Sequence, residues 1–201
     1  MCSSDLFPIL DRIVRPPLWR RYDGDAVFLR PPESRDWLAW AELRAESRAF
    51  LEPWEPTWPK DALAKDAFRR RLARYTRDAR DDEGYAFLLF RKADEQLLGG
   101  INLSNVTRGI RQSCSVGYWI GQRYARHGYM SDGVRVAATF AFDQLRLHRV
   151  EAGCVPNNVA SQGVLRKVGF QDEGIARKYL NINGRWHDHL LFALLASDPR
   201  V

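Results

Sequence analysis

Arg123, Arg126 and His127 stand close together and run directly into Gly128. Cationic side chains beside a glycine are the ingredients of an anion site, provided that a helix starts there. The first amides of a helix have no intrahelical acceptor, and its dipole places partial positive charge at that end. A phosphate or pyrophosphate is the natural ligand of such a corner. An ordinary strand-loop-helix connection that happens to carry arginines fits the same local pattern. There is no Gly-x-Gly-x-x-Gly after a strand and no Gly-Lys-Ser/Thr ending, so neither a dinucleotide fingerprint nor a P-loop is supported.

The flanking residues supply the elements that such a site needs. Val116, Tyr118 and Ile120 alternate as in a buried strand. Beyond Gly128, Val134, Ala138, Ala141 and Leu145 recur on one helical face. Residues 149–155 then read as a strand following the helix in βαβ fashion, so the two strands should run parallel. Asn158 and Ser161 lead into a short helix through Val168, with Gly169 as its stop.

Elsewhere the chain alternates strands, helices and turns. Residues 1–24 read as a lead-in broken by Pro8, Pro16 and Pro17. Residues 26–30 form a first strand. Ser34 is placed to cap a helix to about Phe50, with Trp37, Leu38, Ala41 and Leu43 on its apolar face. Residues 51–59 hold three prolines and two tryptophans, Trp54 and Trp58, which either cover the core or wall a substrate groove. Asp61 opens a helix to about Asp81 carrying Arg69, Arg70, Arg71, Arg74, Arg77 and Arg80. That helix is a solvated charged face, or a docking patch for ribosomal RNA or an acidic protein. Residues 84–92 and 97–106 form a hairpin whose Gly99 and Gly100 imply a bulge or a close backbone approach. A second hairpin closes the chain around Asn183-Gly184. One α/β domain over residues 25–197 accounts for the pattern.

The chain has 201 residues, enough for one full core, and a formal charge of +6, which favours an acidic ligand or polyanionic surroundings. No apolar run reaches the roughly 18 residues that span a bilayer. The first residues lack the form of a secretory signal. Cys2, Cys114 and Cys154 make no Cys-x-x-Cys pair, and the histidines are isolated. The expectation is a protein of the reducing cytoplasm with no membrane contact, no disulfide framework and no metal.

Taken in order, the pieces resemble the GNAT superfamily of acetyl-CoA-dependent N-acetyltransferases, and within it the RimJ/RimL group. They are Leu51-x-Pro53-Trp54, residues 102–106 with Arg108-Gly109, Gly117-Tyr118-x-Ile120-Gly121-Gln122, Pro156-x-Asn158-x-x-Ser161, Gly169-Phe170-x-x-Glu173-Gly174 and Asn183-Gly184-x-Trp186-x-Asp188-His189. The residues 102–106 and the Gly-x-Trp-x-Asp-His segment look like the RimJ side in particular. The resemblance implies a mostly antiparallel twisted sheet, flanked by helices, with a parallel pair splayed around acetyl-CoA. It implies backbone bonds to the cofactor along Trp119, Ile120 and Gly121, and a pyrophosphate held over Arg123, Arg126, His127, Gly128, Tyr129, Met130 and Ser131. Asn158 would hold the pantetheine arm, and Ser161 would protonate the departing thiolate or orient a water. Trp54, Asn102, Tyr179 and His189 would line the acceptor groove. The family's loop reads Gln/Arg-x-x-Gly-x-Gly/Ala, and here an arginine, Arg126, stands at its first glycine. Binding should survive, because the following amides remain and a guanidinium is a charged donor. Many relatives carry a tyrosine acid four residues before Gly169; Leu165 stands there and has no proton to give.

The resemblance implies an acceptor on a ribosomal protein; the arginine-rich helix leaves RNA contact open, and the working form is a monomer or a homodimer. The base candidates are Glu52, Glu55 and Glu151. An α-amine with pKa near 7.8 is neutral about one time in seven at pH 7, and a lysine near 10.4 about four times in ten thousand. A site without a strong base therefore suits an N-terminal amine. A small-molecule acetyltransferase and a non-catalytic acyl-CoA-binding module are the rival readings.

Overall fold

The structure is a computed structural model that describes residues 20–199. Eight strands form one sheet: β1 (Tyr22–Asp23), β2 (Val27–Arg30), β3 (Tyr85–Arg91), β4 (Leu97–Thr107), β5 (Ser113–Ile120), β6 (Arg149–Cys154), β7 (Gln171–Ile182) and β8 (Arg185–Leu195). Their spatial order is β1-β2-β3-β4-β5-β6-β8-β7, and every neighbouring pair is antiparallel except β5 with β6. Five α-helices flank it: α1 (Trp37–Glu46), α2 (Arg48–Leu51), α3 (Lys65–Arg80), α4 (Tyr129–Thr139) and α5 (Val159–Val168). Of the expected lead-in, residues 1–19 lie outside the described residues, and Tyr22–Asp23 add the edge strand β1.

The sheet is buried on both faces by different helices. On one face α4 lays Val134, Ala137 and Ala138 against Leu89, Ile101 and Leu103. Asp132 ties that helix to the start of β2, its carboxylate accepting the backbone N–H groups of Asp25, Ala26 and Val27 at 3.1, 2.8 and 3.2 Å. After Thr139 the backbone widens into a π turn, Phe140–Gln144, and Phe140 meets Tyr22, Tyr85 and Phe87 edge-on. On the other face Trp40, Leu43 and Phe68 from α1 and α3 cover Phe28, Leu88 and Phe90.

The parallel pair is short. Ser113, Cys114 and Ser115 pair with Arg149, Val150 and Glu151, and beyond that β5 pairs only with β4. The rest of β5 is held close to β4 by two glycines. A Cβ on Gly99 would stand 2.2 Å from the Trp119 carbonyl oxygen, and one on Gly100 2.6 Å from its indole nitrogen. The close approach read from these glycines is therefore present, and a register shift opposite Leu89 and Phe90 accompanies it.

Several local expectations differ. Ser34 caps nothing: it lies in a short 3-10 turn whose capping box is made by Glu33 and Asp36. Arg30 grips Asp36 with two bonds of 2.7 and 2.6 Å, so a buried carboxylate organises the entry to α1 instead. The inward face of α1 is Trp40, Leu43 and Arg44, and Leu38 is exposed. That helix stops at Glu46 and restarts at Arg48, and Ser47 donates its backbone N–H to Leu43. Asp61 sits ahead of α3, whose N-cap is Ala64, and pairs with Arg70 at 2.7 Å.

Candidate functional site

Where β5 and β6 part, a cleft of about 790 Å³ opens. One wall is the end of β5, Tyr118 to Ile120; the opposite wall is the start of α5 from Asn157 to Val164. The first turn of α4 closes one end, and Phe50, Leu51, Trp54 and Glu55 close the other. Pleating sends alternate side chains to opposite faces of the sheet. Tyr118 therefore packs on the α4 side and Trp119 on the α1 side. Val116–Ile120 have no ladder partner across the gap, which leaves that backbone edge open to a ligand.

The corner before α4 has an unusual backbone. Arg126 has φ +66° and Gly128 φ +84°, both left-handed. Glycine adopts this region freely, whereas a residue with a Cβ does so at a cost of about 1–2 kcal/mol. Arg126 thus holds a turn that glycine would make without strain, and adds a guanidinium. It lines the cleft and has no carboxylate partner among the described residues. Lys167, from the last turn of α5, reaches the same corner. Its Nζ lies 3.9 Å from where a Cβ on Gly128 would stand, and it too lacks a carboxylate partner among the described residues.

At the opposite wall, Asn158 is the N-cap of α5, and its side-chain oxygen accepts the Ser161 N–H at 3.0 Å. That cap leaves the Asn158 amide NH2 as a donor toward the cleft. Ser161 Oγ lies 2.9 Å from the Tyr118 hydroxyl, which also donates to the Ser161 carbonyl at 3.2 Å. Burial pushes the Tyr118 phenol well above its ordinary range, and the Ser161 bond offsets only part of that. Burial also raises the Cys154 thiol beneath, against a smaller opposing contribution from a hydrogen bond with Ser161. Leu165 is fully buried in the core.

The cleft gathers Trp54, Trp119, Ile120, Arg126, Gly128, Met130, Ser131, Asn158 and Ser161 from the residues singled out in the sequence. Four others from the same stretch stand off its lining. Gly121 donates its N–H to Leu98 at 2.8 Å, under Leu43. Arg123 pairs with Glu46 at 3.2 Å. His127 Nδ1 donates to the Ala125 carbonyl at 2.8 Å, and its ring stacks on Tyr129. Asn102 lines a separate depression of about 550 Å³ with Gly117, Asp78 and Glu83. Tyr179 and His189 pack together, ring centroids 5.6 Å apart, with His189 buried beside Gly153.

The sequence left three contributors unassigned. Tyr118 reads as a strand residue within a family motif with no role of its own, and Lys167 is not singled out by the sequence. The helical spacing of Ala160, Val164 and Lys167 would have placed that lysine on the cleft face once the start of α5 was fixed at Asn158. The third is Arg44, buried in α1 among Trp40, Trp58 and Trp119. It binds Glu55 with bonds of 3.3 and 2.5 Å, and Trp58 Nε1 donates to the same carboxylate at 2.7 Å. Of the other acids considered as bases, Glu52 pairs with Arg48, and Glu151 with Arg149 and Arg111. Among the described residues no group of three or more His, Cys, Asp or Glu could hold a metal, and no helix is long and apolar enough to cross a membrane.

Residues 26–171 match the acetyltransferase (GNAT) domain family. The chain is 37% identical over 175 residues to the probable N-acetyltransferase YjcK of Bacillus subtilis, covering 87% of this chain and 97% of that one. It is 33% identical over 178 residues to the [ribosomal protein uS5]-alanine N-acetyltransferase of Escherichia coli, covering 89% and 92%. Its fold superposes on Mycobacterium smegmatis RimJ, solved in complex with CoA-disulfide, with a TM-score of 0.81 and 32% identity, covering 88% and 86%. The chain belongs to the GNAT family of N-acetyltransferases.

Proposed function

We propose that this N-acetyltransferase moves an acetyl group from acetyl-CoA to the N-terminal α-amine of a protein, of the alanine type and on a ribosomal protein. The relatives whose names carry that activity support the reading. The cleft suits the cofactor on three counts: an unpaired β5 edge, two unmatched cations at one end, and hydroxyl donors in the middle. Acetyl-CoA supplies the activated thioester. The protein then has to hold it, polarise its carbonyl and settle the departing sulfur.

Backbone N–H groups on the open edge of β5, Ile120 foremost, are the donors for the pantetheine arm and the acyl oxygen, in the manner of an oxyanion hole, while Trp119 and Gly121 hold that strand end against β4. Arg126 and Lys167, with the amides of Tyr129, Met130 and Ser131, take the diphosphate. Arg123 and His127 shape that corner from outside. Asn158 offers its amide to the arm, and Ser161 its hydroxyl to the sulfur. Trp54 walls the acceptor side, with Asn102 and Tyr179 on the sheet surface that a longer acceptor would cross and buried His189 supporting Tyr179 from behind.

One observation carries the choice of amine. The carboxylate at the acceptor end, Glu55, has its oxygens engaged by Arg44 and Trp58. Those bonds occupy the carboxylate, so it gives an acceptor little help in shedding a proton, and an α-amine needs less such help than a lysine, by roughly 300-fold in neutral fraction at pH 7. Five of the six α3 arginines face a carboxylate and Arg71 turns to Tyr75 and Trp40, which favours a solvated face over RNA contact there. The test is thiol release from acetyl-CoA with alanine-terminated peptides, N-blocked lysine peptides and polyamines. The expected order is alanine termini first by a wide margin. Faster turnover of lysine side chains or polyamines contradicts the assignment.

A further inference from the structure

We infer that Tyr118 is a positioning residue: its hydroxyl occupies a lone pair of Ser161 Oγ and so aims the Ser161 proton at the sulfur in the cleft. The inference rests on the coenzyme A reading above and adds to it a residue with no role so far.

A serine hydroxyl carries one proton and two lone pairs, and its rotor turns to suit its neighbours. Ser161 has two such neighbours in the wall, the Tyr118 hydroxyl at 2.9 Å and the Cys154 thiol. Left to itself, its proton can be spent on either. The phenol has two acceptors within reach, and both belong to residue 161: Oγ, and the carbonyl at 3.2 Å. Two arrangements follow. When Tyr118 donates to the carbonyl, Ser161 can turn its proton back to the phenol. When Tyr118 donates to Oγ, the Ser161 proton is free to face the cleft. A charged sulfur favours the second arrangement, because a bond to a charged acceptor is worth more than one to a neutral acceptor. Burial keeps the phenol protonated far above the pH at which amines react, so it stays a donor throughout.

In the transfer, the amine nitrogen bonds to the carbonyl carbon and the carbon–sulfur bond breaks, the sulfur keeping the electron pair. The proton shed by the amine balances the one the sulfur gains. Ser161 and Tyr118 lend hydrogen bonds to that exchange, and each ends with the proton it began with. The arrangement supplies donor strength where Leu165 offers none.

The test is the thiol titration of bound coenzyme A, followed by thiolate ultraviolet absorbance in wild type, Y118F, S161A and the double variant. Phenylalanine keeps the ring packing and removes only the donor. The expected result is a bound-thiol pKa about one unit higher in Y118F than in wild type, and no further rise when Y118F is added to S161A. Turnover of Y118F should fall about tenfold in kcat with little change in the KM for acetyl-CoA. Equal titrations in wild type and Y118F overturn the inference, as does a Y118F effect of the same size in the S161A background. Absence of coenzyme A binding sinks both this inference and the reading beneath it, whereas binding with unchanged titrations sinks this one alone.

Discussion

Two parts of this chain are rich in arginine, and they are wired differently. In α3, Arg69, Arg70, Arg74, Arg77 and Arg80 each face a carboxylate, from Asp61, Asp66, Asp78 or Asp81, at 2.7 to 4.0 Å. At the corner before α4, Arg126 and Lys167 face the cleft with no such partner among the described residues. The first region has more charge, but most of its arginines are held by a carboxylate. Exposed ion pairs contribute little to stability, and they leave little field for an outside anion. A count of arginines therefore points at α3, whereas a count of unmatched cations beside free helix amides points at the corner.

The sharpest way to break this contrast is to reverse the corner. R126E/K167E replaces two donors by two repelling charges, and kcat/KM for acetyl-CoA should fall about a thousandfold. A loss below tenfold would mean that the diphosphate is held elsewhere. Alkali tests the other end of β5, where Cys114 is fully buried in the parallel pair with β6. Burial, with Glu151 adding to it, holds its thiol up to about 12 against an ordinary 9.0. The folded state therefore keeps a proton that the unfolded chain releases. The stabilisation is whole below pH 9 and drains away as pH rises toward 12. About 1 kcal/mol is lost to this group alone by pH 10, and C114A should flatten that slope in denaturant titrations.

R126G separates charge from backbone. Relief of the left-handed strain, about 1 kcal/mol, is offset by the freedom that glycine adds to the unfolded chain, about 0.4–1 kcal/mol. Stability should thus change by less than about 1 kcal/mol, while acetyl-CoA affinity falls about tenfold. The smallest effect is expected in α3, where R74A/R77A should alter acetyl-CoA affinity by less than about twofold. A larger change there would erase the distinction between the two regions.

Much of the frame was legible because it rests on local periodicity. The alternation of Val116, Tyr118 and Ile120, the helical face of α4 and the Asn183-Gly184 turn all appear as read, with Asn183 and Gly184 at φ +51° and +77°. The parallel pair followed from βαβ connectivity alone. What escaped depends on contacts distant in sequence. Ser34 reads as a cap, yet the Arg30–Asp36 pair decides how α1 begins. Arg44 draws no notice in the sequence, and only the folded loop after α2 brings Glu55 and Trp58 to it. For the site, the α4 corner was visible as a motif. Lys167 was not, because it arrives from a separate helix, α5, that begins only at Val159, beyond β6. Tyr118 carried a strand signal that hid its hydroxyl, whose partner lies on α5.

The central claim is that the corner of Arg126, Lys167 and the α4 amides grips the diphosphate of acetyl-CoA, and calorimetric titration of acetyl-CoA into the intact chain tests it most directly. The account predicts one saturating site per chain, with affinity that weakens as salt is raised, because the cations there are exposed and screened. No heat from well-folded protein, or binding indifferent to salt and unchanged in R126E/K167E, would contradict it.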